Sequence, residues 1–383
     1  MHKPFAVLLS ILAASSFCFA SDSEPASGLA ETWTESQVVT WAAANSAAAN
    51  LLQSERAAFS AAIDREERRQ CVQAALVQSV LRDLECHERE RSAANALKLF
   101  HQLIGLQAQR ELLDDAYRST DKLLRLAEKA NELDLADGNR FELDKQRLQI
   151  ADQQAEAVGG VAKLQVALGE LIGKPFVEVS VAQLPLPNDA PVSEGGSQSQ
   201  DPLQWDKDQA LEIALSHRCD LQALQQMCRS LNSDTLPIAR QVMSSVQPGL
   251  GLAVAIASRK PLLSALHQDD HSAAELCQRR EQCAKLLEER RSQIEVQVHV
   301  AVIDRDTAIN RLAIARQRLS IDEQLFKQSQ TAIELDQAKP GSDIIADLER
   351  LKSRGKIIEF QTAVSVAIVS LREATGKVLD TEN

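Results

Sequence analysis

The 383-residue chain contains little of what breaks or decorates helices: 14 Gly, 11 Pro and one Tyr among 13 aromatic residues. Scarce Gly and Pro exclude a turn-rich β architecture, and a single Tyr leaves no residues for the aromatic girdles of a membrane barrel. No stretch beyond the first twenty residues is apolar enough to span a bilayer as a helix. A net charge of −12 argues against nucleic acid as a partner. There is no nucleophile elbow, P-loop, dinucleotide-binding glycine run or CxxC pair, and no group suited to paired acid–base work. The chain is not expected to be an enzyme, and no cofactor is implied. His267 and His271, four apart near Asp270, are the one weak metal candidate, and they follow Pro261 in an expected turn.

What is present begins with an export signal. Lys3 precedes the apolar run Phe5–Phe19, and Cys18-Phe19-Ala20 ends in small residues, so residues 1–20 are read as a signal peptide cleaved after Ala20. Six cysteines remain: Cys71, Cys86, Cys219, Cys228, Cys277 and Cys283. Bridged Cα atoms lie about 4.4–6.8 Å apart, so the separations of 15, 9 and 6 residues in Cys71/Cys86, Cys219/Cys228 and Cys277/Cys283 cannot be bridged within one helix, and any disulfide must join different helices. Buried thiols remain the simpler reading, and spacing leaves connectivity open.

The remainder is Ala/Leu/Gln/Glu/Arg-rich and falls into two halves, 31–173 and 205–379, joined by a linker over 174–204 that holds five of the eleven prolines. Each half opens with a tryptophan, Trp33 or Trp205, ahead of a helix expected over 38–63 or 210–239. Each continues into a long helix and turns at a glycine: Glu132-Leu133-Asp134 precedes Gly138, and Glu334-Leu335-Asp336 precedes Gly341. Asp144 and Arg147 follow the first glycine, and Asp347 and Arg350 follow the second. Such internal repetition predicts two related helical hairpins. Residues 272–337 contain neither Gly nor Pro, and Val298, Leu312, Leu319, Phe326 and Ile333 step by sevens beside Ala301, Ala308 and Ala315, as in a coiled-coil seam that Arg305 interrupts. Asn139 with Glu142 reads as a capping box at the first returning helix, and Ser342 after Pro340 as the cap of the second.

In order and spacing these features resemble the TolC-like outer membrane efflux proteins over about Trp33 to Leu379, most clearly at Gly341-Ser342-Asp343-Ile344-Ile345-Ala346-Asp347-Leu348. The resemblance implies a mainly α fold of long antiparallel coiled-coil hairpins in two repeats, a TolC-like α-barrel protomer. It implies a homotrimer in the outer membrane, meeting a periplasmic adaptor protein and an inner-membrane pump. Asp137, Gly138, Asn139, Gly341, Ser342 and Asp343 would form the adaptor-docking tip. Asp144 and Asp347 would be pore-constriction residues. Arg350 stands where the family carries a second acidic residue, which departs from a double acidic ring. The barrel strands are reduced or missing: only 249–257 alternates as a strand would, and the first half shows none. The expected function is an outer-membrane or periplasmic channel of a tripartite efflux system, a passive conduit for small solutes or ions. The alternative is a periplasmic helical structural or binding protein that forms no pore. In the family topology all six cysteines flank the missing strands, where disulfides would fasten helices.

Overall fold

The computed structural model describes residues 33–61, 68–132, 140–174, 202–236, 273–335, 337–339 and 341–382. Among these residues there are helices and no strand: α1 Glu35–Asn45, α2 Ala47–Ala61, α3 Arg68–Glu132, α4 Arg140–Ile172, α5 Lys207–His217, α6 Cys219–Arg229, α7 Ala273–Glu334 and α8 Ser342–Thr375. The segment 249–257 and the His267/His271 pair lie outside the described residues. No described helix is long and apolar enough to cross a membrane.

The 65 residues of α3 and the 62 of α7 correspond to rods of roughly 95 Å at about 1.5 Å per residue. Few residues in either favour any other backbone state. The returning helices, 33 residues in α4 and 34 in α8, reach about half as far. Four helices lie side by side in the order α4–α3–α8–α7, so the seam between the two hairpins is α3 against α8. Gly105 permits the close approach there: a Cβ at that position would stand 2.0 Å from Thr362 Oγ1.

The α7–α8 seam is the expected coiled coil. Val298, Ala301, Ala308, Leu312 and Ala315 are buried, and Ala308 and Leu312 pack on Val364. Each large side chain fully removed from water contributes about 1.5–3 kcal/mol. Arg305 does not spoil the seam. Its buried guanidinium donates from Nη1 to the Pro202 carbonyl (2.8 Å) and the Trp205 carbonyl (2.7 Å), fastening the entry to the second repeat.

Both repeats start alike. Buried Trp33 and Trp205 each precede an N-cap, Thr34 and Asp206, which exchanges hydrogen bonds with Gln37 and Gln209 in a capping box. The helices expected over 38–63 and 210–239 are each broken once, by extended ψ values at Ser46 (106°) and Arg218 (116°), and the second ends at Arg229. Both breaks have tertiary causes. Asn45 Nδ2 donates to the Glu170 and Leu171 carbonyls at the end of α4 (3.1 Å each), and Arg218 Nη1 donates to the Ala374 carbonyl at the end of α8 (3.3 Å). The opening helix thus ties itself to the terminus of the returning helix, whose last carbonyls otherwise lack partners. Beyond the break, α2 packs on α3, while α6 lies against both α3 and α7.

Candidate functional site

The end of the molecule holding the bends is the candidate site. Of the expected docking residues, Asp137, Gly138 and Asn139 lie outside the described residues. Gly341 is buried at φ +89°, and a Cβ there would stand 2.9 Å from Leu123 of α3. Only glycine adopts this left-handed turn without strain. Gly341 is therefore the N-cap of α8, and Ser342 is its first helical residue rather than the cap. The Ser342 hydroxyl is buried without a hydrogen-bond partner. The positive φ turns the chain, so no side chain is needed to start the helix. Asp343 lies in the first turn of α8, where the helix dipole favours a carboxylate.

The matched Asp and Arg form the same contact in both hairpins. Arg350 Nη2 lies 2.6 Å from Asp347 Oδ1, and Arg147 Nη2 lies 3.4 Å from Asp144 Oδ1. The surroundings differ. Asp347 also accepts from Ser119 Oγ of α3 at 3.1 Å, and the Arg350 guanidinium stands 4.5 Å over the Phe326 ring of α7. This side chain set joins α3, α8 and α7. Around Asp144 the partners are ionic: Arg147 reaches Asp121 at 3.8 Å, Asp121 meets Arg125 at 3.0 Å, and Arg140 meets Glu128 at 3.3 Å. These are half-exposed pairs, individually worth about 0–1 kcal/mol and weakened by salt. Within one chain each aspartate is already neutralised by an arginine three residues on. Ser119 carries no signal in the sequence, and Phe326 is marked there only as a member of the period-seven apolar row.

Above the bends, a groove of about 780 Å³ runs over α3 between α4 and α8, with Leu106, Leu113, Ile150 and Leu351 among its lining. The two outer helices carry apolar residues that no other described residue covers. On α7 these are Val296, Val300, Ile303, Ile314, Ile321 and Leu325, each more than half exposed, and Val296 and Val300 border a cavity shared with α3 and α8. On α4 they are Phe141, Leu148, Val158 and Val166. The signal for the α7 row was its own period-seven spacing, offset from the seam positions.

At the opposite end lies a buried polar centre. Asp220 accepts from Arg218 Nε (3.0 Å) and Nη2 (2.8 Å), from Arg290 Nε (2.9 Å) and Nη2, and from the Leu221 amide (2.9 Å). Burial pushes its carboxyl up, but the hydrogen bonds and charge of Arg218 and the charges of His87 and Arg290 outweigh this and hold it well below the usual carboxylate range. Burial pushes the neighbouring His87 imidazole down. Glu90, buried near Asp380, is pushed up to about 7. A cavity of about 580 Å³ between α3, α7 and α8 opens onto Arg218 and Arg290.

Two disulfides flank this centre, Cys86–Cys219 and Cys228–Cys283. Among the described residues there is no group of three or more His, Cys, Asp or Glu placed to hold a metal ion.

No protein-family model and no curated protein sequence matches the chain. Solved structures do. A membrane protein from Pseudomonas aeruginosa superposes with a TM-score of 0.62 at 13% identity, over 93% of this chain and 96% of that one. This is the TolC-like outer membrane channel fold. VceC of Vibrio cholerae, an outer membrane protein, matches with a TM-score of 0.57 at 13% identity, over 81% of this chain and 75% of its own. The open state of the MtrE outer membrane channel of Neisseria gonorrhoeae matches at 0.56 and 12% identity, over 90% and 89%. At these identities the likeness is one of fold. Within this fold the last turns of α3 and the first turns of α4 and α8 share one end, and Asp144 and Asp347 lie in the second turns of α4 and α8.

Proposed function

We propose that the chain is the helical-barrel component of an export conduit in the outer membrane and periplasm. In this reading it is a homotrimer in a tripartite efflux system, passing small solutes or ions passively. The observation that carries this is the pair of uncovered apolar edges. By count from the bends, Leu148 of α4 and Leu325 of α7 stand at similar heights, about 12–14 Å, and Val158 and Ile314 at about 27–30 Å. An α4 edge of one copy therefore meets the α7 edge of the next in antiparallel register, a heterologous contact that closes into a ring. The tip, with Gly341, Ser342 and Asp343 and the first bend's Asp137, Gly138 and Asn139, is the surface offered to an adaptor, which in turn meets the inner-membrane pump. Asp144, Asp347 and Arg350 line the narrow end as ion pairs rather than as a bare acidic ring. Export through the signal at residues 1–20 delivers the chain to this compartment.

A second reading has its own support. Six residues, 62–67, separate α2 from α3, too few for two membrane strands of about ten residues each. A periplasmic helical protein without a pore meets this constraint directly. Fractionation with crosslinking separates the two. The conduit predicts a detergent-extractable trimer in outer membranes that Ile314→Glu with Leu325→Glu reduces to monomer without loss of helix. A soluble monomer from the unaltered chain removes it.

A further inference from the structure

The α6 helix is held covalently at both ends. Cys219, its first residue, is bridged to Cys86 of α3 (Cα–Cα 6.1 Å), and Cys228, its penultimate residue, to Cys283 of α7 (Cα–Cα 5.7 Å). With 11 residues it is too short to persist unaided, since isolated helices below about 12–15 residues are marginal in water. Its apolar face, Leu221, Ala223 and Met227, is buried, and Ala223 and Met227 share a core with Leu52 and Phe59 of α2 and Val80 and Leu84 of α3. The bridges span 133 and 55 residues, so each restricts a large unfolded loop. Together they connect the outgoing helices of the two repeats through a third element. Neither Cys71 nor Cys277 takes part.

We infer that α6 is an oxidation-dependent clasp. It fixes α3 to α7 at the end opposite the bends, a fastening that the six residues between α2 and α3 leave no room for a strand pair to supply in the first repeat. Cys86 lies 46 residues from the end of α3 and Cys283 lies 51 from the end of α7, about 70–75 Å along the rods. Over that length, towards the bends, the two repeats meet through the side-chain seam of α3 against α8.

Each bridge forms by exchange with a protein disulfide of an oxidising compartment. One cysteine thiolate displaces a thiolate from that disulfide, and the second cysteine then displaces the oxidant. Two electrons and two protons leave the chain, and the oxidant ends as a dithiol. The clasp therefore rests on export, though not on ring assembly.

The test is peptide mapping of the exported protein after alkylation without reduction, then amide exchange before and after reduction. Linked peptides carrying Cys86–Cys219 and Cys228–Cys283, with label on Cys71 and Cys277, are expected. On reduction, exchange over 219–229 and the facing 76–84 should rise at least tenfold, while 301–315 stays unchanged. Six labelled cysteines, another pairing, or exchange indifferent to reduction would each overturn the clasp. Reduction of the unaltered protein gives the readout if Cys228→Ser with Cys283→Ser does not accumulate. A monomer with both bridges intact removes the conduit and leaves the clasp; a trimer with six labelled cysteines does the reverse.

Discussion

Replacing Asp220 tests whether the buried ion cluster holds the second repeat together. The carboxylate is 7% exposed, and its arginine partners Arg218 and Arg290 are 7% and 13% exposed. Asp220→Asn keeps the size and one acceptor oxygen but leaves two nearly buried guanidinium groups without a counter-charge. Breaking a buried pair in this way costs about 3–5 kcal/mol. Arg218 retains Gln297 (2.6 Å) and the Ala374 carbonyl, which places the expected loss near the lower end. The native pKa is depressed, so the aspartate's contribution is full above its unfolded value near 3.8 and disappears only as pH falls through the folded one. Titration of Asp220 itself therefore adds no pH dependence to the loss from pH 5 to 8; what variation there is comes from Glu90, whose raised pKa Asp220 supports. Urea unfolding followed by circular dichroism on oxidised protein measures it, with exposed Glu349→Gln as a control expected within about 0.5 kcal/mol. In the Asp220→Asn background, Arg290→Met should cost little more, because the charge it paired is already gone. A loss below about 1 kcal/mol for Asp220→Asn, or full additivity with Arg290→Met, would refute a cooperative centre.

Glu90 provides a pH-dependent counterpart. Its folded pKa of about 7 stands above the unfolded 4.5, because burial and the nearby Asp380 oppose ionisation and, more weakly, Asp220 adds to them, against Arg218 and Lys377. The folded state then holds the extra proton between these values, so stability falls as pH rises across that window. Glu90→Gln should match the parent near pH 4 and exceed it by on the order of 3 kcal/mol at pH 8, measured as the difference of urea midpoints; a difference flat with pH would remove the assignment. Two glycine substitutions should have opposite signs. Gly355→Ala places a Cβ with nothing within 4 Å in mid-helix and should stabilise by about 0.5–1 kcal/mol. Gly341→Ala, at φ +89° against Leu123, should destabilise by about 1–3 kcal/mol and lower the melting temperature. Equal effects would mean that the bend tolerates another turn.

The periodic parts of the fold were legible in the sequence. Apolar rows stepping by seven, the paired tryptophans and the glycine bends are local signals, and α3, α4, α7 and α8 follow them. Ser46 and Arg218 were not legible as helix breaks, because neither is Gly or Pro. The chain bends there because Asn45 and Arg218 reach carbonyls more than a hundred residues away. Arg305 looked like an intrusion for the same reason: its acceptors, Pro202 and Trp205, come from the segment entering α5. At the tip, the repeated Asp and Arg could be read as a pattern, but their pairing with each other could not. Ser342 looked like a cap because hydroxyls often are; a buried left-handed glycine one residue earlier made it unnecessary.

The two breaks also show why the fastening is uneven. They are equivalent in position and backbone, yet the first is held by the neutral contacts of Asn45 and Ser46, and the second by Arg218, Asp220, Arg290 and a disulfide. The difference follows from what lies beyond each. The α2 helix packs mainly on α3, within its own repeat, whereas α6 lies against α3 of one repeat and α7 of the other. Contacts within a hairpin form between segments a short loop apart, but the α3–α6–α7 junction closes loops of 133 and 55 residues, and such closure carries a larger entropic cost. Apolar burial by an 11-residue helix offsets only part of that cost. The buried ion cluster around Asp220 and both disulfides sit where α6 joins α3 of one repeat to α7 of the other.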